Sequence, residues 1–335
     1  MVLKKIIIHK SYKSIRKPPK NLKNEDKDLF AHEFTKIIPS SHVILGNKIL
    51  IINQNLFSKN LYLFTKYIYF YFPGILRVIK DVIKSFKNSK KNITKIDKGM
   101  WITDNKSSVY FHWLCDALGK YQMTKDEFNN YPVLIPEIYD IDWIKEFLKT
   151  LEIEFKILKN SKRYVIDELL IPSYPAPSGN FNNENIMKLA KNIIDRCEIN
   201  LNDIEQNKRI WVSREAARRK VSNKLDLEPI LKKYNFEDCI LEELTLTEKV
   251  KLFQSAEIIA GSHGSGLTNM IFMNKKTKVV DVRDPNDNIK NAFFTLASEF
   301  DLDYYYIERE VDDKIIIDPD KLDKIFSEAL NGQNI

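Results

Sequence analysis

The rhythm of apolar and polar positions changes part way along this chain. From residue 183 onward, short apolar runs of strand length alternate with segments of helical period. Helices are predicted over 183–198, 224–234, 247–256 (capped by Thr247) and 265–273. Strands are predicted over 209–213, 238–241, 257–260 and 278–282. Strands separated by helices of this length predict a parallel, doubly wound sheet, so the class is α/β. The first half is less regular. Residues 1–8 read as a strand, and 42–53 as a hairpin turning at Gly46-Asn47. A helix follows over 110–121, then strands over 132–135, 154–157 and 164–171 around a helix at 142–151. The Lys/Asn-rich stretches 10–28 and 84–98 read as loops or mobile connections.

Three prolines and a glycine within 172–179 mark the clearest linker, and 335 residues exceed one typical core. The expected division is therefore 1–175, an acceptor-side domain, and 180–318, a ligand-binding domain. Residues 319–335 should supply a helix that packs back on the first domain.

The most informative segment is Ala260-Gly261-Ser262-His263-Gly264-Ser265-Gly266-Leu267-Thr268-Asn269. A buried strand feeds a small-residue loop, and a helix opens near Ser265. That geometry aims free backbone N–H groups and the positive end of a helix dipole at one spot. The glycines allow close approach and positive φ. The spacing is neither the dinucleotide fingerprint nor a Walker A loop. Arg214, Arg218 and Arg219 follow an earlier parallel strand, whose carboxyl end faces the same side. Arginine forks suit phosphate oxygens, and Arg214 and Arg219 are the favoured pair. The place is built for an anion, a diphosphate above all. His263 reads as a ligand-facing side chain, the competing role being a histidine bonded to the backbone.

In the first half, Tyr110-Phe111-His112-Trp113-Leu114-Cys115-Asp116 puts His112 and Asp116 four apart, on one helix face. An imidazole beside a carboxylate makes or orients a general base; a structural pair tethering the helix is the alternative.

Composition adds boundaries. With 44% hydrophobic and 30% charged residues the chain is an ordinary globular one. Its net charge of +7 suits an anionic ligand or surface, and no nucleic-acid motif is present. Cys115, Cys197 and Cys239 form no CxxC and read as reduced core residues of a cytoplasmic protein. Residues 61–79 are rich in aromatics but interrupted by Lys66, Pro73-Gly74 and Arg77. That excludes a spanning helix and leaves a domain core or a segment lying on a membrane surface.

Together these pieces resemble glycosyltransferase family 61. FHWLCDALGKY (111–121) is similar to that family's FHWL-x-D-x-LP segment. WVSREAARRKVSN (211–223) is similar to ISR-x-x-x-x-RR-x-x-NE. LEELTLTEKVKLFQSAEIIAGSHGSGLTNMIFM (241–273) is similar to LSL-x-EQ…A-x-VIVG-x-HGAGLTN-x-xF. Gly119 stands for a common proline and Ser265 for an alanine. The resemblance implies a GT-B architecture, two Rossmann-like domains facing a cleft, and inverting transfer from a nucleotide-sugar donor. The implied acceptor is a bacterial surface (capsular) polysaccharide or lipid-linked glycan, reached by peripheral contact with the inner membrane. No metal or other cofactor is expected. Arg214, Arg219 and the Gly264, Ser265 and Gly266 amides are then expected to hold the diphosphate. His263 and Asn269 contact phosphate or donor sugar, and Glu243 or Asp281 the ribose. Asp116, oriented by His112, takes the acceptor proton, with His112 as the alternative base. A non-catalytic nucleotide-binding scaffold of an envelope assembly complex is the rival function.

Overall fold

A computed structural model describes residues 4–52, 55–57, 93–216, 219–285, 291–310 and 314–331. The chain forms two compact units, one of residues 1–12 and 39–178, the other of 13–38 and 179–335. The chain opens with β1 (Lys4–His9), β2 (Tyr12–Lys13), helix α1 (Lys27–Phe34) and β3 (Ile37–Ile38). The aromatic stretch 61–79 and Arg218 lie outside the described residues.

The first unit is built on one mixed sheet. It contains β4 (Ser41–Ile52), β5 (Asn55–Phe57), β6 (Ile93–Met100), β7 (Val133–Pro136), β8 (Phe155–Leu158) and β9 (Arg163–Pro172). The order is β1-β4-β9-β6-β7-β8, with β5 on β4. β9, β6, β7 and β8 run parallel; β1, β4 and β5 are antiparallel to their neighbours. The expected Rossmann-like pattern therefore covers only the parallel half. The hairpin expected at Gly46-Asn47 is instead one twelve-residue strand. Ile44, Ile49 and Ile51 all enter the core with Ile166, Leu169 and Ile171 of β9. Long-range pairing to β9 runs through both turn-forming residues, Gly46 opposite Leu169 and Asn47 opposite Glu168. A tight turn would have exposed those isoleucines, so burial overrides the turn signal. β6 likewise forms inside a stretch whose lysines suggested a loop.

Between β6 and β7 the chain enters a π-helical stretch, His112–Ala117, which continues as α2 (Leu118–Thr124). The expected helix is present, but its first turn is widened, an arrangement that is rare and recurs at functional sites. α3 (Asp142–Thr150) buries Ile144, Phe147 and Leu148, spaced three and four apart.

The second unit carries an all-parallel sheet. Its strands are β10 (Lys208–Val212), β11 (Phe236–Cys239), β12 (Ala256–Ser262), β13 (Lys278–Arg283) and β14 (Asp303–Glu308), in the order β11-β10-β12-β13-β14. Helices α4 (Asn183–Arg196), α5 (Lys224–Lys233), α6 (Leu246–Gln254), α7 (Ala292–Glu299) and α8 (Pro319–Asn331) accompany it. This is the doubly wound pattern predicted. α6 starts one residue earlier than expected, and its cap lies two residues earlier, because Thr245 and Glu248 close a capping box in place of Thr247. The strand order reverses between β10 and β12, which puts the crevice outside their carboxyl ends.

The C-terminal helix is grouped with the second unit and packs on its core. Leu322, Ile325, Phe326 and Ala329 form one apolar stripe, buried with Trp211, Leu227, Leu231 and Phe236. The Phe326 ring stacks on Phe236 at 4.2 Å between centroids.

Candidate functional site

Two polar constellations stand out, one in each unit. In the second unit β10 ends at Val212, and β12 ends at Ser262, with Val212 directly opposite Gly261. The next residues on each strand meet: Arg214 Nη1 donates to the His263 carbonyl oxygen at 3.0 Å, and Nε donates to the Arg219 carbonyl oxygen at 3.0 Å. The guanidinium is thus clamped at the switch point. Its pKa is lowered, chiefly by burial, with Arg219 adding to the effect and Glu242 opposing it.

The three loop glycines serve close approach and not left-handed backbone. Gly264 is extended, with φ 172°. A Cβ on Gly264 would meet Arg214 Nη1 at 2.1 Å, and one on Gly266 would meet Val212 Cγ1 at 2.6 Å. The first neighbour is a flexible tip and the second a β-branched core residue. Gly266→Ala is therefore expected to cost about 1–3 kcal/mol of stability, the usual penalty of overpacking. Gly264→Ala should leave the melting temperature nearly unchanged and move Arg214. Thermal unfolding of both variants, run with a nucleotide-binding titration, checks the contrast.

The helix after the loop is 3-10 (Ser265–Phe272) and not α. Ser265 and Gly266 stand at its open end, while Asn269 is buried and donates from Nδ2 to the Gly266 carbonyl oxygen at 2.9 Å. Asn269 therefore shapes the loop. Arg219 is exposed beside Arg214. Glu243 is exposed on the 3-10 turn Leu241–Glu243, and it is its neighbour Glu242 whose charge reaches Arg214.

His263 takes part through both its backbone and its ring. Its Nδ1 lies 2.9 Å from Asp281 Oδ2, which also accepts the Tyr304 hydroxyl at 2.9 Å. Asp281 is fully buried. It therefore anchors the imidazole and is not exposed to a ribose, a correction to the role expected for it. Burial, then the Asp281 charge, pushes the Tyr304 phenol well above its usual range, so it stays a donor. A carboxylate only accepts, so Nδ1 carries the proton and Nε2 faces away from Asp281. Phe293 packs edge-on at 4.6 Å and fixes the ring's other side.

In the first unit the predicted pair is formed. His112 Nδ1 lies 2.7 Å from Asp116 Oδ2, and Ser178 Oγ donates to the same oxygen at 3.1 Å. Asp116 is almost wholly buried, whereas the His112 side chain keeps 19% of its surface exposed. The more accessible group of the pair is the imidazole, with the carboxylate bonded behind it. Beneath the pair lies a charge cluster that spacing did not reveal. Lys120 Nζ is 3.6 Å from Asp104 Oδ2, both side chains being buried, and lies 3.9 Å from the centre of the Tyr174 ring. The Tyr174 hydroxyl donates to Asp104 Oδ2, and the Lys106 N–H to Oδ1 at 2.8 Å. Asp104 and Tyr174 lie 16 or more positions from Lys120 in the chain, beyond any helical period, and a motif would have been needed to connect them.

Among the described residues no group of three or more His, Cys, Asp or Glu side chains has an arrangement that could hold a metal ion. Cys115 and Cys197 are buried free thiols, and Cys239 is partly buried and free. No helix among the described residues is long and apolar enough to cross a membrane.

Residues 110–280 match the family model described as Glycosyltransferase 61, a span that covers half of the chain and includes His112, Asp116, Lys120, Arg214 and His263 but not Asp104, Asp281 or Tyr304. No curated protein matches the chain.

Proposed function

Because the chain belongs to glycosyltransferase family 61, we propose that it is an inverting, metal-independent enzyme of the GT-B type that moves a sugar from a nucleotide-sugar donor to a glycan hydroxyl. The observation that carries the donor half is the Arg214–His263 junction at the switch point of the second unit's sheet. Ligands of doubly wound sheets bind there, and the groups gathered are a clamped guanidinium, a tethered imidazole and a glycine loop open for close approach.

The acceptor hydroxyl gives its proton to His112 Nε2, and Asp116 holds the imidazolium that forms. The freed oxygen pair forms the new bond to the anomeric carbon from the face opposite the diphosphate. The bond from that carbon to the phosphate oxygen breaks, and its electron pair leaves with the nucleoside diphosphate. Arg214, with Arg219 beside it, stabilises this developing charge, and the 264–266 amides add donors, next to the His263 ring held by Asp281. A surface-polysaccharide or lipid-linked acceptor at the inner membrane's cytoplasmic face is the class we assign.

The test is calorimetric and thermal-shift titration with UDP, GDP, CMP and their sugars, with and without Mn²⁺. One nucleotide should bind selectively and without metal. Arg214→Ala should weaken that binding by about 10- to 100-fold, the worth of a charge-assisted contact. If none of the nucleotides binds, the transferase reading fails and a scaffold role takes its place.

A further inference from the structure

The cluster beneath His112 and Asp116 has no part in the reaction steps above, yet it is built from costly groups. A lysine ammonium and two carboxylates are all but removed from water within one helix turn and two loops. Burying such charges is unfavourable unless each is paired and hydrogen-bonded. Here each one is. Lys120 meets Asp104 and the Tyr174 ring, and it lies in the field of Asp116 as well. Asp104 takes donors from the Tyr174 hydroxyl, the Lys106 N–H and Ser107 Oγ. Asp116 takes His112 and Ser178.

We infer that Lys120 is a positioning residue for the proton-accepting dyad: its buried ammonium, shared between Asp104 and Asp116, sets how strongly His112 holds a proton. This rests on the reading of His112–Asp116 as the acceptor-side base. The charges explain the device. With His112 neutral, two carboxylates and one ammonium leave the cluster at one net negative charge. The proton taken from an acceptor hydroxyl neutralises it. Without Lys120 the cluster would be doubly negative, which favours the protonated imidazole. Without Asp104 the ammonium would lack its partner.

The groups facing His112 come from every surrounding segment. Asp116 and Lys120 share its helix, and Asp104 follows β6. Ser178, through Asp116, and Tyr174, through Asp104, come from the segment after β9. Tyr139, from the turn after β7, donates to the Asp104 carbonyl oxygen. Burial lowers the Lys120 pKa, and the two carboxylates restrain the fall. Burial would raise Asp104; Lys120, Tyr174 and the Lys106 N–H outweigh it and hold Asp104 below its usual range.

The experiment reads the proton directly. The chain has five histidines, so ring carbon–proton NMR of the full chain resolves His112, assigned with His112→Gln. Lys120→Met should raise the His112 titration midpoint by about half a unit or more, because a neighbouring cation is removed. Adding Asp104→Asn to Lys120→Met should return the midpoint to near the wild-type value, and Lys120→Arg should leave it in place. A packing role predicts no such reversal. An unmoved midpoint in Lys120→Met, or one the second substitution does not restore, overturns the proposal. If Lys120→Met does not fold, lysine ε-carbon NMR of the wild-type chain decides. An ammonium at Lys120 through the His112 titration supports the proposal, and a neutral amine there overturns it. The titration needs no substrate, so a failed transfer assay with these shifts present would count against the reaction and not against the device.

Discussion

Replacing His112 by alanine is expected to lower sugar transfer by about 10²- to 10⁴-fold, the worth of a positioned general base. Nucleotide affinity should stay within about twofold, since no donor-side group is touched. Asp116→Asn should cost nearly as much. The amide keeps the shape of the carboxylate but cannot stabilise an imidazolium, and its NH₂ would turn the imidazole to the wrong tautomer. Ser178→Ala removes one neutral hydrogen bond to Asp116 and should cost only about tenfold or less. Steady-state transfer assays on the three variants, with calorimetric nucleotide binding alongside, test the ordering. A His112→Ala enzyme that keeps its rate would return the proton to another group. A variant that loses nucleotide binding in step with rate would show that the pair is structural.

The sequence made the second unit largely legible because its physics is local. β10, β12 and β13 carry short buried apolar runs bounded by polar turns, and each helix carries one apolar stripe, whereas β11 (Phe-Glu-Asp-Cys) has no such run. Parallel burial leaves little choice of register. The loop after β12 was visible for the same reason, since its glycines sit where a strand must end. What stayed hidden depends on distant partners. Gly46-Asn47 has turn chemistry, but β9 claims both sides of it. Asp281 was expected at the ribose; only the folded sheet brings Tyr304 and His263 to it. Lys120 reads as a surface residue on an amphipathic helix, and its burial follows from Asp104 and Tyr174, supplied by two other segments. The glycines at 264 and 266 were expected to allow close approach and positive φ, and only the close approach is found. Their lack of a side chain matters because Arg214 and Val212 stand too close. Short-range pattern thus pointed to the Arg214–His263 crevice and to the His112–Asp116 pair, whereas Asp281 and Tyr304 behind His263, and Asp104 and Tyr174 behind Lys120, are long-range and required the fold.

The largest effect on stability is expected at Arg16, in a segment whose polar composition suggested a loose connection. Residues 13–38 belong to the second unit, and Arg16 is their anchor. Its guanidinium pairs with Glu299 of α7, donates to the Thr295 carbonyl oxygen at 3.4 Å, and meets Asn180 Oδ1 at 3.3 Å. The Arg16 side chain is fully buried and that of Glu299 nearly so. Arg16→Met leaves Glu299 with Asn183 as its donor, at 2.7 Å. Removing one partner of a buried pair costs about 3–5 kcal/mol, which lowers the melting temperature of a unit this size by roughly 10 °C. Burial already raises the Glu299 pKa, with Arg16 and Asn183 pulling it back. Loss of Arg16 raises it further. A carboxyl whose folded pKa lies above its unfolded one favours the folded state below the unfolded pKa, and this contribution is lost as pH rises through the folded value. The deficit of Arg16→Met should therefore be smaller near pH 4 than near pH 8. Arg16→Met with Glu299→Leu should recover most of the loss, because two apolar side chains leave no orphaned charge. Thermal unfolding of the three proteins across that pH range checks both signs. A deficit independent of pH, or a double variant no better than the single, would mean that Arg16 acts through packing of its alkyl stem and not through charge.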